Sequence, residues 1–436
     1  MNKIFKGEEV GVIDIAESRN IRQAQQFALL KSNKTLISFC LNIPGPIKQS
    51  FYLHKVFLSG LNEVKNTFNK EIKHIEIINP KTGSEAKILL DINSQDVKDK
   101  CILIEENHPL GRLFDLDVLD LKNNNLIHLE RAKPRKCLIC NDEAKLCARS
   151  RKHSLIEMQE KVTNLFIDYE ASNFASLCKD ALISEVNITP KPGLVDRANN
   201  GSHKDMNYES FMNSANALEP YFKEMYITSF RHEGNAKELF LKLRAIGLEA
   251  EKAMYKATDN INTHMGMIFS LAIIIGAYAS IDAEVTITNL KQRCKQIARY
   301  SLNDYSKDTK PSGARLIASQ GFAIIFDEAL KELENNLINY QFNEAAILTL
   351  LFLMANIDDN NIIRRSDNTQ AAYLKKEAKE LLNDIKMNKD NQNLIITKVK
   401  ELDKQYQQRW LSPGGSADLL ALCILIHSLK QENLIN

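Results

Sequence analysis

Residues 189–205 read TPKPGLVDRANNGSHKD, with two prolines, two glycines and a dense mixture of Lys, Asp, Arg, Asn, Ser and His between long stretches of helical periodicity. Proline and glycine interrupt helix and strand alike, so this segment is expected to be a loop around which helices must be arranged. A polar loop of this length inside a compact domain is either disordered or a site. Its composition is varied rather than repetitive, and it can bring cationic, anionic and amide groups to one charged ligand, which favours a site. A second polar knot, His108 to Asp120, lies far upstream, so two separate sites are expected.

The flanking sequence changes class near residue 155. Before it, Ile21–Lys31 reads as helix, while Thr35–Asn42, His74–Asn79, Ala86–Ile92, Cys101–Glu105 and Leu113–Leu121 read as strands. After it, apolar residues recur with helical period at Leu155–Ser184, Ala236–Ala257, His264–Ala279, Leu290–Tyr300, Gly321–Leu337, Asn343–Ala355, Gln370–Asn388 and Ser416–Lys430. The expected architecture is two domains, a mixed α/β domain over 1–155 and an all-α domain over 156–436.

Charge and composition exclude several function classes. The 436 residues carry a net charge of +2, with +3 in the first 170 and −1 in the remainder. Neither part has the excess of a general nucleic-acid binder, and no nucleic-acid partner is expected. The exception is a basic cluster of Arg131, Lys133, Arg135, Lys136, Lys145, Arg149, Arg151 and Lys152, which is either a solvated surface or a dock for an acidic protein or a phosphate. The longest apolar run, Met267–Ala279, is too short to cross a bilayer, and the N-terminus has no signal-like apolar region. Eight scattered cysteines do not make a disulfide framework. A cytoplasmic protein without membrane attachment is expected.

The upstream knot contains GRLFDLDV, residues 111–118, with Asp115 and Asp117 two positions apart. On a strand these share a face, and paired carboxylates can hold Mg²⁺ on a polyphosphate. Gly111 allows close backbone approach, and Arg112 can offset phosphate charge. An alternating pair on a solvated face is the bland alternative. Cys137-x-x-Cys140, Cys147 and His153 offer four ligands of the kinds zinc takes, with buried structural thiols as the alternative; zinc is not among the expected cofactors.

Residues 108–118 (HPLGRLFDLDV), 38–48 (SFCLNIPGPIK), Ser18-Arg19-x-x-Arg22-Gln23 and the segment around Cys137, Cys140 and Cys147 closely resemble holo-citrate lyase synthase, or apo-citrate lyase phosphoribosyl-dephospho-CoA transferase. The resemblance covers nearly all of residues 10–155. It implies a nucleotidyltransferase-like fold and attack by a serine hydroxyl of the acyl carrier (gamma) subunit of citrate lyase on a triphosphoribosyl group, with loss of pyrophosphate. Asp115 and Asp117 would hold Mg²⁺. Arg112 would offset phosphate charge, with Arg19, Arg22 and Lys48 as further candidates, and the basic cluster would dock the acidic carrier.

Downstream of the opening loop, four more polar knots interrupt the helices: Gly247–Glu251, Asp259–Gly266, Lys310–Arg315 and Ser412–Asp418. Several sit where a helix would begin, where N–H groups are free for phosphate, and Ser416 is a candidate N-cap. Singly, each is equally a plain capped loop; five together suggest convergence on a polyanion with metal.

These segments (PKPGLVDR at 190–197 with Asn200, Gly201 and His203; Gly247-Leu-Glu249; Asn262-Thr263-His264-x-Gly266; PGGSAD at 413–418) resemble triphosphoribosyl-dephospho-CoA synthase, an all-helical family, over residues 165–430. The implied substrates are ATP and 3′-dephospho-CoA: the 2′-hydroxyl of dephospho-CoA attacks C1 of the ATP ribose and adenine departs. The expected assignments are metal or electrostatic roles for Asp196, Glu249 and Asp418, proton transfer for His203 or His264, and phosphate contact for Lys191, Arg197, Arg315, Gly414, Gly415 and Ser416. The pattern departs from the family at Leu316-Ile317, where Gly-Glu is usual, and at Ser366-Asp367, where two glycines are usual. The alternative reading is an active N-terminal transferase joined to a degenerate helical domain that serves as nucleotide-binding or docking scaffold.

Overall fold

The computed structural model describes residues 3–30, 34–122, 125–304, 312–365, 368–387 and 392–436. By internal contact the chain divides into two compact units, Met1–Glu170 and Ala171–Asn436.

Unit 1 contains α1 (Val12–Leu29), β1 (Thr35–Leu41), α2 (Phe51–Thr67), β2 (Ile72–Ile78), β3 (Glu85–Leu90), α3 (Ser94–Asn107), β4 (Phe114–Lys122), β5 (Asn125–His128) and the short α4 (Ala144–Arg149). The strands form one antiparallel sheet in the order β2-β3-β1-β4-β5. Side-chain alternation divides the two faces. Ile37, Phe39, Leu116 and Val118 share the apolar face, where Phe39 stacks on Phe57 of α2 with centroids 4.9 Å apart and meets Phe114 edge-on at 5.6 Å. Gly60 of α2 is needed here, because a Cβ would come within 2.6 Å of the Phe39 ring and 2.9 Å of the Phe114 ring.

The opposite face is graded. At one end Leu36 and Leu119 pack with Leu30, which follows α1; at the other, register aligns Glu85 and Lys87 with Cys40 and Ser38, and those with Asp115 and Asp117. Helix α1 covers this face, Gln26 donating to Ser38 Oγ at 2.8 Å and Arg22 to Glu85 at 2.5 Å.

The Cys101–Glu105 strand expectation is corrected: these residues lie in α3. Asn93 caps that helix by accepting from Gln95 N–H, and Val97, Cys101 and Ile104 are its buried stripe at helical spacing.

The division between the units falls inside α5 (Leu155–Asn187). Beyond it follow α6 (Tyr208–Phe230), α7 (Ala236–Ala257), α8 (Met265–Ala279), α9 (Ile287–Ala298), α10 (Gly313–Ser319), a π-helical turn (Ile324–Ala329), α11 (Leu330–Leu337), α12 (Phe342–Asn356), α13 (Asn360–Arg365), α14 (Asn368–Met387), α15 (Gln392–Gln408) and α16 (Gly414–Gln431). Helices α8, α12 and α16 are apolar nearly all round, the mark of helices enclosed by others, and they supply much of the core. No strand occurs among the described residues of unit 2, and among all described residues no helix is long and apolar enough to cross a membrane.

Candidate active sites

In unit 1, Asp115 and Asp117 project from the polar face of β4 as alternation requires. Cys40, opposite Asp115 in the register, has its thiol 3.8 Å from Asp115 Oδ2, and Arg22 Nη1 lies 3.8 Å from the same sulfur. The Asp117 side chain opens to solvent, yet restricted hydration among its neighbours and the charge of Asp115 raise its carboxyl above the usual carboxylate range. This is the electrostatic signature of two like charges held together. Partial burial lowers the Lys48 ammonium, and Arg19 beside it acts in the same direction; Lys48 donates to the Ile43 carbonyl. Of the three expected cations, Arg22 lies close enough to Asp115 to feel its charge, while Arg19 lies beside Lys48.

The sequence reading missed Arg135 as a member of this site. Its Nη1 donates to the Phe114 carbonyl at 2.9 Å and lies 3.5 Å from Asp115 Oδ1, while Nη2 pairs with Glu105. Glu105 in turn accepts Leu116 N–H at 2.9 Å, so these side chains satisfy a part of β4 that β5 does not reach. Arg112 is placed differently from the expectation. It donates to the Lys136 carbonyl, and burial together with the charges of Arg135 and Arg131 lowers its guanidinium. Gly111 is explained by packing against α3: a Cβ would lie 2.6 Å from the Glu105 and Ile104 carbonyl oxygens.

Unit 2 encloses a cavity of about 850 Å³. The Thr189–Asp205 loop forms one wall, contributing Lys191 and His203; α7 contributes Gly247 and Glu251, and the start of α8 contributes His264 and Gly266. Arg315 of α10 faces it, as do Asp359, Gly414, Gly415 and Asp418. Thus Lys191, His203, His264, Arg315, Gly414, Gly415 and Asp418 come together. Asp196, Arg197, Glu249 and Ser416 are not among the residues that line the cavity.

Each of those four has another occupation. Asp196 is buried and organises the loop, accepting Lys191 N–H at 3.1 Å, Ala198 N–H at 2.7 Å and Asn199 N–H at 3.0 Å. Arg197 is exposed and donates to Asn187 at 2.7 Å. Glu249 is exposed and pairs with Lys252 at 2.7 Å. Ser416 does not cap α16: Pro413 occupies that position, and Ser416 directs its N–H and hydroxyl to Asp359 Oδ2 at 2.8 and 3.0 Å. With Gly415 N–H also directed to Asp359, the anion at this helix N-terminus is the protein's own carboxylate.

Three carboxyl groups border the cavity, Glu185 and Asp359 buried and Asp418 partly buried. Burial raises Asp418 well above the carboxylate range, with the charges of Glu185 and Asp359 adding to it. Burial likewise raises Asp359, against its hydrogen bonds to α16, and raises Glu185, against its pairing with Lys191. Asp418 lies against the first turn of α8, where a Cβ on Gly266 would be 2.6 Å from its Oδ2. Glu251 is raised by burial and lowered in part by Arg315. Glu251 closes the Gly247–Glu251 knot, where Glu249 was the expected site residue, and Glu185 carries no sequence signal that separates it from ordinary helical glutamates.

The two histidines differ. His264 is buried, accepts or donates at Nδ1 to Ser214 Oγ at 2.7 Å, and is pushed down to about 3 by burial and by Lys191, so it is neutral at physiological pH. His203 has Nε2 2.9 Å from Ser412 Oγ and Nδ1 3.8 Å from Asp205 Oδ1. Ile317 stands in the cavity wall where the resemblance would place a carboxylate; Lys310, Pro311, Ser366 and Asp367 lie outside the described residues.

Comparison with known proteins gives two family matches in order. The model of the apo-citrate lyase phosphoribosyl-dephospho-CoA transferase family matches residues 10–169, and that of the ATP:dephospho-CoA triphosphoribosyl transferase family matches residues 171–308 and 301–436. Protein CitXG of Haemophilus influenzae is 33% identical, covering 98% of this chain and 97% of its own length. Protein CitXG of Leuconostoc mesenteroides subsp. cremoris is 32% identical over 97% of this chain and 98% of its own length. The 2-(5''-triphosphoribosyl)-3'-dephosphocoenzyme-A synthase of Haemophilus ducreyi is 34% identical over 67% of this chain and 99% of its own length. Full-length similarity to the fused proteins, with both domain families in the same order, places the chain in the CitXG family.

Proposed function

We propose that the chain is a bifunctional transferase that makes the prosthetic-group precursor of citrate lyase and attaches it to the lyase's acyl carrier subunit. In the first reaction the 2′-hydroxyl of 3′-dephospho-CoA forms a bond to C1 of the ATP ribose, the bond from that carbon to adenine breaks, and adenine leaves. In the second, a serine hydroxyl of the apo carrier attacks the triphosphoribosyl product, a phosphodiester forms and pyrophosphate leaves. The product of one reaction is the substrate of the other, so fusion raises its local concentration.

The observation that carries this reading is the unit 2 cavity, where Glu185, Asp359 and Asp418 gather beside Lys191 and His203. Carboxylates there suit the cationic character that develops at C1 as adenine departs. Asp418 is the best placed of the three, because Glu185 is paired with Lys191 and Asp359 is tied to α16. His203, which faces the cavity from the loop, accepts the hydroxyl proton. His264 is too weak a base when buried and instead anchors the loop before α8 to Ser214. Arg315 meets the triphosphate from α10, and Lys191 lines the cavity from the loop.

Both acidic groups suit Mg²⁺: the charge of Asp115 adds to the rise of the Asp117 carboxyl, and the charges of Glu185 and Asp359 add to that of Asp418, which a divalent cation would relieve. Asp115 and Asp117 would hold it in unit 1, and Asp418 in unit 2. When bound, it supplies charge neutralisation for the triphosphate. The antiparallel sheet with its paired aspartates supports a nucleotidyltransferase-like reading of unit 1, and Arg22, Arg135 and Lys48 would bind phosphate there. The exposed Lys133, Lys136, Lys145, Arg149 and Arg151 fit an acidic carrier. A cytoplasmic setting suits the nucleotide substrates and the eight free cysteines.

Incubation of the full chain with ATP, 3′-dephospho-CoA, Mg²⁺ and apo carrier tests the proposal. Adenine release followed by a mass gain at one carrier serine is the expected result. If ATP binds without adenine release, while supplied triphosphoribosyl-dephospho-CoA is still transferred, the helical unit is a scaffold.

A further inference from the structure

The segment between β5 and α5 has almost no apolar core. Among the described residues from 120 to 161, Cys137 and Cys147 alone are buried. Yet the chain here is folded tightly. Residues 136 and 143 form an antiparallel bridge, Cys137 N–H donates to the Asp142 carbonyl at 2.7 Å, and Ala144 N–H donates to the Arg135 carbonyl at 2.8 Å. A turn that small, without apolar support, calls for another staple.

The side chains inside the turn supply one. The ligand atoms of Cys137, Cys140, Cys147 and His153 all lie within 4.8 Å of one another. Tetrahedral zinc would set such atoms about 3.5–3.8 Å apart, by geometry from its usual bond lengths. Three further observations point to a cation. Ile139 N–H donates to Cys137 Sγ at 3.4 Å, with Cys140 N–H directed to the same sulfur, an arrangement that stabilises a thiolate in a Cys-x-x-Cys turn. His153 Nε2 is buried and has no hydrogen-bond partner. No disulfide joins the cysteines, all of which are free.

We propose that Cys137, Cys140, Cys147 and His153 bind one structural zinc ion. Three thiolates and one neutral imidazole are a donor set of the kind that closes zinc's coordination shell, leaving no open position for catalysis. The resulting single negative charge lies amid Lys136, Lys145, Arg149, Arg151 and Lys152, which offset it. The staple also has a consequence for the acidic pair on β4. Arg135 immediately precedes the turn, and its guanidinium reaches Asp115 and Glu105, while Arg112 holds the Lys136 carbonyl. Zinc would therefore fix the strand that presents Arg135 to the unit 1 site.

The test is metal analysis of the full chain, purified without added metal and without chelator. Elemental mass spectrometry is expected to find one zinc per chain, released on titration of the thiols with a mercurial reagent. His153→Ala and Cys147→Ser are expected to lower that ratio to near zero, while Cys178→Ser, a buried cysteine elsewhere, leaves it at one. Should the variants fail to fold, cobalt exchanged into the unaltered chain serves instead: intense thiolate-to-cobalt absorption with tetrahedral d–d bands is expected. Absence of zinc together with absence of those bands, iron in its place, zinc retained in soluble Cys147→Ser and His153→Ala, or a disulfide within this cluster in the freshly isolated chain would each overturn the proposal.

Discussion

Lys191 Nζ lies 2.5 Å from Glu185 Oε1 and donates also to the Glu185 backbone carbonyl at 2.9 Å, so the start of the polar loop is tied to the last turns of α5 by a buried pair. Replacing Lys191 by Met leaves a buried carboxyl without its cation. Breaking such pairs costs about 3–5 kcal/mol, less where the survivor takes up a proton. The expected outcome is a lower urea midpoint together with loss of adenine release. The fluorescence of Trp410, the chain's single tryptophan, reports unfolding of unit 2. Lys191→Met combined with Glu185→Leu should regain much of the stability and none of the activity. A double variant no more stable than Lys191→Met would show that the pair is not the source of the loss.

Glu249 and Glu251 separate by geometry. Two residues apart on α7, they point in nearly opposite directions, and only Glu251 lines the cavity. Glu251→Gln should lower adenine release by about 10-fold or more, the scale of one electrostatic contact in a transition state. Glu249→Gln removes an exposed pair with Lys252 and should leave it within about two-fold. Equal rates for the two variants would remove Glu251 from the site.

The same contrast explains what could be read from residues alone. Strands β1 and β4 were legible because β-branched and aromatic residues alternate up to strong breakers. Cys101–Glu105 was misread because a short apolar run fits either period, and its buried partner Val97 lies outside the run. Helix α6 was missed because its polar and aromatic residues blur the apolar stripe, though Asn207 forms a capping box with Ser210. The polar loop was legible from composition. What it packs against was not: Asp359 and Asp418 lie more than 150 residues further along the sequence. Asp196 looked catalytic because of its company, yet its oxygens are occupied by the loop's own N–H groups, whereas Glu185 reads as an ordinary helical glutamate.

Asp115→Asn should abolish transfer to the carrier, by about 100-fold or more, because it removes one of two like charges that a cation and phosphate require. Adenine release should stay within about two-fold. The two readouts are separable by supplying either ATP with dephospho-CoA or the finished precursor. Loss of both activities in a folded variant would mean that they depend on one composite site.

Gly266→Ala probes the fit of Asp418 against α8. The added Cβ would lie 2.6 Å from Asp418 Oδ2, inside contact distance, and the aspartate is partly buried at the cavity wall, so one of them must shift. Elsewhere in a helix Gly→Ala stabilises by about 0.5–1 kcal/mol. Here the expected outcome is a lower urea midpoint and at least about 10-fold slower adenine release, with carrier modification from supplied precursor unchanged. A stabilised and fully active variant would show that Asp418 need not occupy its present position.

His264 sets a pH dependence whose sign follows from its burial. Its imidazole is pushed down to about 3 in the folded chain, first by burial and then by Lys191, against an ordinary value near 6.5. Above about pH 6.5 neither the folded nor the unfolded histidine binds a proton, and the stabilising contribution of this group is fully present. As pH falls from 6.5 towards 3, the unfolded chain takes up a proton that the folded chain refuses, so stability is lost at up to about 1.4 kcal/mol per pH unit. Asp418, Glu185 and Asp359 act in the opposite sense, since their raised carboxyls favour the folded state as pH falls through the range between their folded and unfolded values. Comparison with His264→Gln, which cannot titrate, cancels those carboxyl contributions to first order. Urea denaturation followed at Trp410 at pH 7, 6 and 5 should show the two proteins converging in stability as the solution is acidified. A stability difference that stays constant over that range would mean that His264 is protonated alike in both states.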